Sequence, residues 1–298
     1  MRRFFKYIEI ATKITSTFVF FMTVAFLLYR KETINWRLTL IFFASMLIFD
    51  FTTTAINNYI DTRDNQQTLQ YERRTALIII YILFFISTFL GLYLVYLTDV
   101  VVLFLGGICF FCGVFYTYGP LPISRQPLGE FLSGLFYGFL IPFILFYINM
   151  PKGTLLNLHL SLVEIMVQIK VIPMLTLLLI SIIPFCTTAN IMLANNICDL
   201  EKDIAVKRHT LPYYIGDKAL YLFAGLYYLS YFTLIMMTVL RLLSPLCLLS
   251  LITIVLVQKN INTFFKKQDK ATTFILSVKN YMIIMGSVTL LIFLSTFL

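Results

Sequence analysis

The sequence predicts an all-α polytopic membrane protein, with about nine transmembrane helices in one bundle built from two pseudo-repeated halves. Three observations lead there. The 298 residues are 60% hydrophobic and 12% charged, too few charges to cover a water-soluble surface around so much apolar chain. The apolar residues fall in runs of the roughly 20 needed to cross a bilayer. A polar block, moreover, recurs at the ends of two such runs.

In chain order the spans are expected near 14–29, 38–60, 76–97, 100–118, 130–149, 171–196, 217–240, 244–258 and 276–297. The start, MRRFFKYIEIATK, is basic, but no small-residue cleavage site follows its apolar run, so that run is read as the first span rather than a signal peptide. Segment 151–170 is expected as an external connection lying partly on the membrane surface. Pro142, Pro173 and Pro184 fall in or beside spans, where neighbouring helices can satisfy the freed carbonyls. Residues 1–298 then form a single membrane domain.

The net charge is +9. Placing the N-terminus inside leaves only Arg30, Lys31, Arg37, Lys152, Lys170 and Arg241 outside. The positive-inside rule therefore accounts for the basic balance, and no nucleic acid is expected as a partner. The bilayer is. This reading puts an integral protein in a membrane, bacterial by expectation, with its N-terminus and its polar clusters on the cytoplasmic side. Cys109 and Cys112 make a CxxC inside an apolar run, which suits small buried side chains better than a metal or redox site. His159 and His209 are the only histidines, and no ligand spacing joins them.

The recurring block reads NNYIDTRDN at 57–65 and NNICDLEKD at 195–203. Asn57, Asn58 and Asp61 match Asn195, Asn196 and Asp199 in register. Two halves converging on one site are expected from such a repeat. Asn195, Asp199 and Asp203 are spaced by four, which on a helix brings their oxygens to one face. Asn57 and Asp61 repeat the pattern. Either Asp64 or Asn65 then completes the first block. Carboxylate and amide oxygens are hard ligands suited to Mg2+, which is commonly held by one or two carboxylates plus substrate phosphates. Asn57, Asp61, Asp64, Asn195, Asp199 and Asp203 are thus the candidate metal ligands.

Cations follow each block: Arg73 and Arg74 after the first, Lys207 and Arg208 after the second. Guanidinium groups grip phosphate oxygens in a bidentate way, although each of these residues also reads as an ordinary topology-setting charge. Asp50 lies seven residues before Asn57 within a span. An intramembrane carboxylate is costly and is paired or functional, so Asp50 is either a structural partner of Lys13 or a substrate-facing group.

These residues resemble the UbiA superfamily of intramembrane prenyltransferases, which have nine helices and two aspartate-rich motifs. The second block is a full NxxxDxxxD match, and KRHTLPYYIG at 207–216 is similar to the family's K-R-T-L stretch with His209 inserted. YTYGPLPISRQPLGE at 116–130 resembles the 1,4-dihydroxy-2-naphthoate polyprenyltransferase branch of menaquinone synthesis. Asn65 stands where the superfamily commonly has a carboxylate, and the N-terminal Arg-Pro element is absent.

The resemblance implies Mg2+-dependent transfer of a prenyl group from a polyprenyl diphosphate to an aromatic acceptor. Asp61, Asp199, Asp203 and Arg208 would be catalytic. Arg73, Arg74, Tyr116, Tyr118, Arg125, Lys207 and Arg208 would contact substrate. Other acceptors, such as 4-hydroxybenzoate, haem or chlorophyllide, remain alternatives. A secondary transporter is the rival outside the enzymes, disfavoured because the polar clusters sit at helix ends near loops rather than at the midplane.

Overall fold

The computed structural model describes residues 2–64, 68–116, 126–161 and 163–298, with the backbone alone at 63 and 64. Among the described residues, eight helices are long and apolar enough to cross a membrane, and the shorter apolar helix Val100–Phe115 stands at the fourth expected span. Among the described residues the fold is all-α apart from one small hairpin. The chain divides into two compact units, Met1–Thr17 with Asn35–Ile123, and Phe18–Ile34 with Ser124–Leu298.

In the first unit, α1 (Arg2–Tyr7) leads by a short 3-10 turn to α2 (Ile14–Tyr29), whose greater part belongs to the second unit. α3 (Trp36–Asp64), α4 (Arg73–Leu97) and α5 (Val100–Phe115) follow. Tyr7 ties α1 to α3 and α4. It is fully buried, and its hydroxyl donates to the carbonyls of Ala55 at 3.1 Å and Ala76 at 3.4 Å. Ser45 Oγ donates to Ser87 O at 2.9 Å, tying α3 to α4.

The pattern on α4 is that of a membrane helix. Ala76, Ile80, Ser87 and Leu94 are buried, while Phe85, Phe89 and Tyr96 are 67%, 70% and 83% exposed. The small Ala76 and Ser87 face protein together with Ile80 and Leu94, while bulky aromatic rings face outward, because lipid, unlike water, does not penalise an exposed Phe.

In the second unit, α6 (Gly129–Ser133) runs through a π-helical turn, Gly134–Leu140, into α7 (Ile141–Asn149). α8 (Val171–Cys198), α9 (Leu200–Ala205), α10 (Leu211–Ile215), α11 (Lys218–Val239), α12 (Ile254–Lys266) and α13 (Ile275–Leu294) complete it. α8 is the central element, packed against the π turn, α11 and α13. At Pro184 it has lost one helix N–H. Gly138 sits directly against this point: a Cβ there would lie 2.3 Å from the Phe185 backbone. Only glycine permits that approach, and the widened π turn supplies it. Asn190 Nδ2 donates to Phe223 O at 2.9 Å, locking α8 to α11.

Two details depart from expectation. The span expected at 244–258 begins as a 3-10 helix, Pro245–Thr253, capped by Ser244 Oγ on Leu246 N, and continues as α12 to Lys266. The 151–170 connection contains an antiparallel hairpin, β1 (Leu156–Leu160) with β2 (Ile165–Ile169), pairing Leu156 with Ile169 and His159 with Met166.

Candidate active site

The second polar block lies where α8 gives way to α9. The expected span ends near 196, and the spacing by four assumes helical geometry on through Asp203. The structure instead breaks it at Asp199, whose φ of −99° and ψ of 5° leave the helical region. The four-residue backbone steps survive. Asp199 N donates to Asn195 O at 3.0 Å and Asp203 N donates to Asp199 O at 2.8 Å, so both four-residue steps keep their helical hydrogen bond. Asn195 and Asp199 are half-buried and Asp203 is buried.

Arg208 is brought back to this stack by the way α9 ends. Arg208 N donates to Asp203 O at 2.8 Å and Lys207 N donates to Ile204 O at 3.0 Å, the paired bonds of a Schellman turn. That turn needs a left-handed residue, and Lys207 takes it with φ 57° where glycine is usual. The guanidinium then lies 3.7 Å from Asp203 Oδ1. Burial pushes the Asp203 carboxyl above the ordinary carboxylate range, and Arg208 pulls it back in part. Lys207 itself is exposed.

Two partners of this block escaped the sequence reading. Glu130, the last residue of the PLGE stretch, is 5% exposed, and its Oε1 accepts from Asn196 Nδ2 at 2.8 Å. Arg208 acts electrostatically on Glu130 as well as on Asp203. Lys270, from the loop between α12 and α13, donates to Asn195 Oδ1 and to Asp199 Oδ2, the latter at 2.6 Å. Neither pairing is visible in the sequence, since 66 and 71 residues separate Glu130 from Asn196 and Lys270 from Asp199.

The first block belongs to the other unit. Its Asn57, Asn58 and Asp61 lie on α3, which runs on to Asp64. Asn58 serves the fold, its Nδ2 donating to Tyr7 O at 2.9 Å. Asn57 is half-buried and Asp61 exposed. Arg73 turns onto this block: Nη1 donates to Tyr59 O at 3.3 Å and the guanidinium sits 5.2 Å from the Tyr59 ring centroid. Arg74 is exposed, and Tyr116 is half-buried at the end of α5. The side chain of Asp64, with Asn65, Tyr118 and Arg125, lies outside the described residues.

Asp50 is found against Lys13. Lys13 Nζ donates to Asp50 Oδ1 at 2.8 Å, to Asp50 O at 3.0 Å and to Thr54 Oγ1, and Ser16 Oγ donates to Asp50 Oδ2 at 2.7 Å. Both charged side chains are buried. A carboxylate with both oxygens hydrogen-bonded and its charge matched is a structural tie.

The second block fits a divalent cation. A side-chain ammonium already gathers Asn195 Oδ1 and Asp199 Oδ2, and the buried Asp203 Oδ2 has no hydrogen-bond partner among the described residues. Among the described residues no group of three or more His, Cys, Asp or Glu is placed to hold a metal unaided.

Residues 18–284 match the model of the UbiA prenyltransferase family. The chain belongs to that family. Another relative is the 1,4-dihydroxy-2-naphthoate octaprenyltransferase of Bacillus subtilis (strain 168), 31% identical over 134 residues, a stretch covering 45% of this chain and 37% of that one. The UbiA fold is also found in solved structures. A UbiA homolog from Archaeoglobus fulgidus bound to GPP and Mg2+ superposes with TM-score 0.64 at 14% identity, over 99% of this chain and 100% of that one. A homolog from Aeropyrum pernix K1 gives 0.64 at 16%, over 93% and 98%. A digeranylgeranylglyceryl phosphate synthase gives 0.65 at 17%, over 99% and 98%.

Proposed function

We propose that this UbiA-family chain catalyses the Mg2+-dependent transfer of a polyprenyl group from an allylic diphosphate to an aromatic acceptor. The acceptor we assign is 1,4-dihydroxy-2-naphthoate, and the product is demethylmenaquinone at its quinol level, because the transfer itself removes no electrons from the ring. One observation carries the reading: the backbone hydrogen bonds that keep Asn195, Asp199 and Asp203 in successive four-residue steps, with Arg208 turned back onto Asp203. Hard oxygen ligands beside a guanidinium are what a leaving diphosphate requires.

In this reading Asn195, Asp199 and Asp203 of the second block, and Asn57, Asp61 and Asp64 of the first, hold Mg2+. The metal, when bound, neutralises charge on the departing diphosphate. Arg208, Arg73, Arg74 and Lys207 bind its oxygens. As the allylic C–O bond breaks, the electron pair leaves with the diphosphate, and the acceptor ring supplies the pair for the new C–C bond. In the naphthoate branch the acceptor loses its carboxylate as CO2 at the same carbon. Tyr116 and Tyr118 offer ring faces to the allylic cation, and Arg125 attracts the acceptor carboxylate. The named relative in Bacillus subtilis supports the choice of acceptor. The polar blocks face the cytoplasm by the charge rule.

The test uses the full chain in lipid, a labelled polyprenyl diphosphate and a panel of acceptors. We expect prenylated product from dihydroxynaphthoate, lost in excess chelator and restored by Mg2+. Product from 4-hydroxybenzoate with none from dihydroxynaphthoate overturns the acceptor. Undiminished turnover in chelator overturns the metal reading, and substrate movement across the bilayer without product would favour a transporter.

A further inference from the structure

The loop from Lys267 to Phe274 is a built element. Asp269 Oδ1 accepts from Thr272 N at 2.8 Å and from Thr272 Oγ1 at 2.6 Å. Asp269 N donates to Thr273 Oγ1 at 2.9 Å, and Thr273 Oγ1 donates to Lys267 O at 3.0 Å. Bonds from Thr272 hold the Asp269 carboxyl below the usual carboxylate range. This local network fixes the backbone on both sides of Lys270. Its ammonium is held by Asn195 Oδ1, by Asp199 Oδ2 at 2.6 Å and over the Phe274 ring at 4.8 Å from the centroid. Lys270 thus presents a fixed positive charge to two of the three oxygens that the metal reading needs.

We propose that Lys270 is a tethered cation that competes with the divalent metal for Asn195 Oδ1 and Asp199 Oδ2. The inference rests on the metal–diphosphate reading above. Magnesium demands short bonds, at about 2.0–2.1 Å, in near-octahedral geometry, and a neighbouring ammonium on the same oxygens repels it. The metal therefore binds poorly to these oxygens alone. An incoming diphosphate changes the balance, because its oxygens take the displaced ammonium while the metal takes the carboxylate. Lys270 couples the two ligands, so that metal and diphosphate enter together and the site does not fill with metal first. By reciprocity each ligand strengthens the other by the same factor.

The experiment titrates Mn2+ into the purified full chain by electron paramagnetic resonance, with and without inorganic diphosphate. Wild type, Lys270→Met, Lys270→Arg and Asp199→Asn are compared, each checked for an unchanged thermal unfolding midpoint. An opposite charge at hydrogen-bond distance shifts a carboxylate's proton affinity by one to three decades, so Lys270→Met is expected to tighten Mn2+ binding without diphosphate by about tenfold or more. Lys270→Arg keeps the charge and stays near wild type. The gain in Mn2+ affinity on adding diphosphate shrinks in Lys270→Met. If Lys270→Met leaves Mn2+ affinity unchanged or weakens it, while wild type binds Mn2+ with diphosphate and Asp199→Asn does not, the competition is overturned and the metal reading stands. If wild type binds no Mn2+ even with diphosphate, the metal reading fails and takes the competition with it.

Discussion

Arg208 is folded back over Asp203: its backbone N–H donates to the Asp203 carbonyl at 2.8 Å, and its Nη1 lies 3.7 Å from Asp203 Oδ1. One turn brings the two residues together, so the backbone sets the base of the Arg208 side chain beside Asp203. Arg208→Ala is expected to lower kcat by roughly a hundredfold, the scale for losing one preorganised charge partner of a leaving group. Arg208→Lys should recover part of this, since it restores the charge but not the planar fork. Steady-state kinetics with saturating acceptor will decide. An unchanged kcat in Arg208→Ala would make the residue a topology charge.

Lys207 occupies a left-handed position at φ 57°. A non-glycine residue there costs about 1–2 kcal/mol. Lys207→Gly should therefore stabilise the fold, by about 1 kcal/mol or less once the greater freedom of glycine in the unfolded chain is counted. If the ammonium binds diphosphate, the same variant raises the KM for the prenyl diphosphate. Thermal unfolding and KM together separate the two effects.

Glu130 and Asn196 form a buried pair linking α6 to α8. Glu130→Ala strands the Asn196 amide and should cost about 1–3 kcal/mol. Glu130→Gln keeps an acceptor oxygen and should cost less. The double variant Glu130→Ala with Asn196→Ala should be less destabilised than the sum of the singles. Additive losses would mean that the bond contributes nothing to stability.

Lys13 and Asp50 behave as a closed unit, with Ser16 and Thr54 completing it. Lys13→Met leaves a buried carboxylate uncompensated and should destabilise by about 3–5 kcal/mol. Adding Asp50→Leu should recover much of that loss. Recovery of stability together with wild-type KM values would place the pair outside the chemistry, whereas a raised acceptor KM in the recovered protein would return Asp50 to the substrate.

The helices were legible because a membrane helix needs a long apolar run, and each run is written out in consecutive residues. The hairpin at Leu156–Ile169 was not, since five-residue strands in an apolar, connecting stretch offer no period long enough to read. The Asn195–Asp199–Asp203 stack was legible from its spacing, because the two helical hydrogen bonds survive the break at Asp199. The break itself was not. Lys270 read only as one more inside charge, and Glu130 stood in a quoted stretch without a role. Both acquire meaning through partners distant in sequence, which local pattern does not encode. Arg208 was singled out from its neighbours, but the Schellman turn that aims it was hidden, because the left-handed position carries Lys207 and not the glycine that usually marks it.

The contact of Gly138 with the backbone at Phe185 makes α8 a lever with a fixed fulcrum. The fulcrum lies at the proline, and the arm beyond it carries Asn195 and Asp199 at its tip. From Phe185 to Asp199 the arm is about 20 Å long at helical rise. A single methyl group added at residue 138 cannot be accommodated by a rotamer change, since backbone stands in its way. It must tilt the arm, and a tilt of a few degrees at the fulcrum moves the tip by about an ångström, the scale on which positioned catalytic groups lose their effect. The geometry of the acidic stack is therefore set in part by a residue deep in the bilayer that carries no side chain at all.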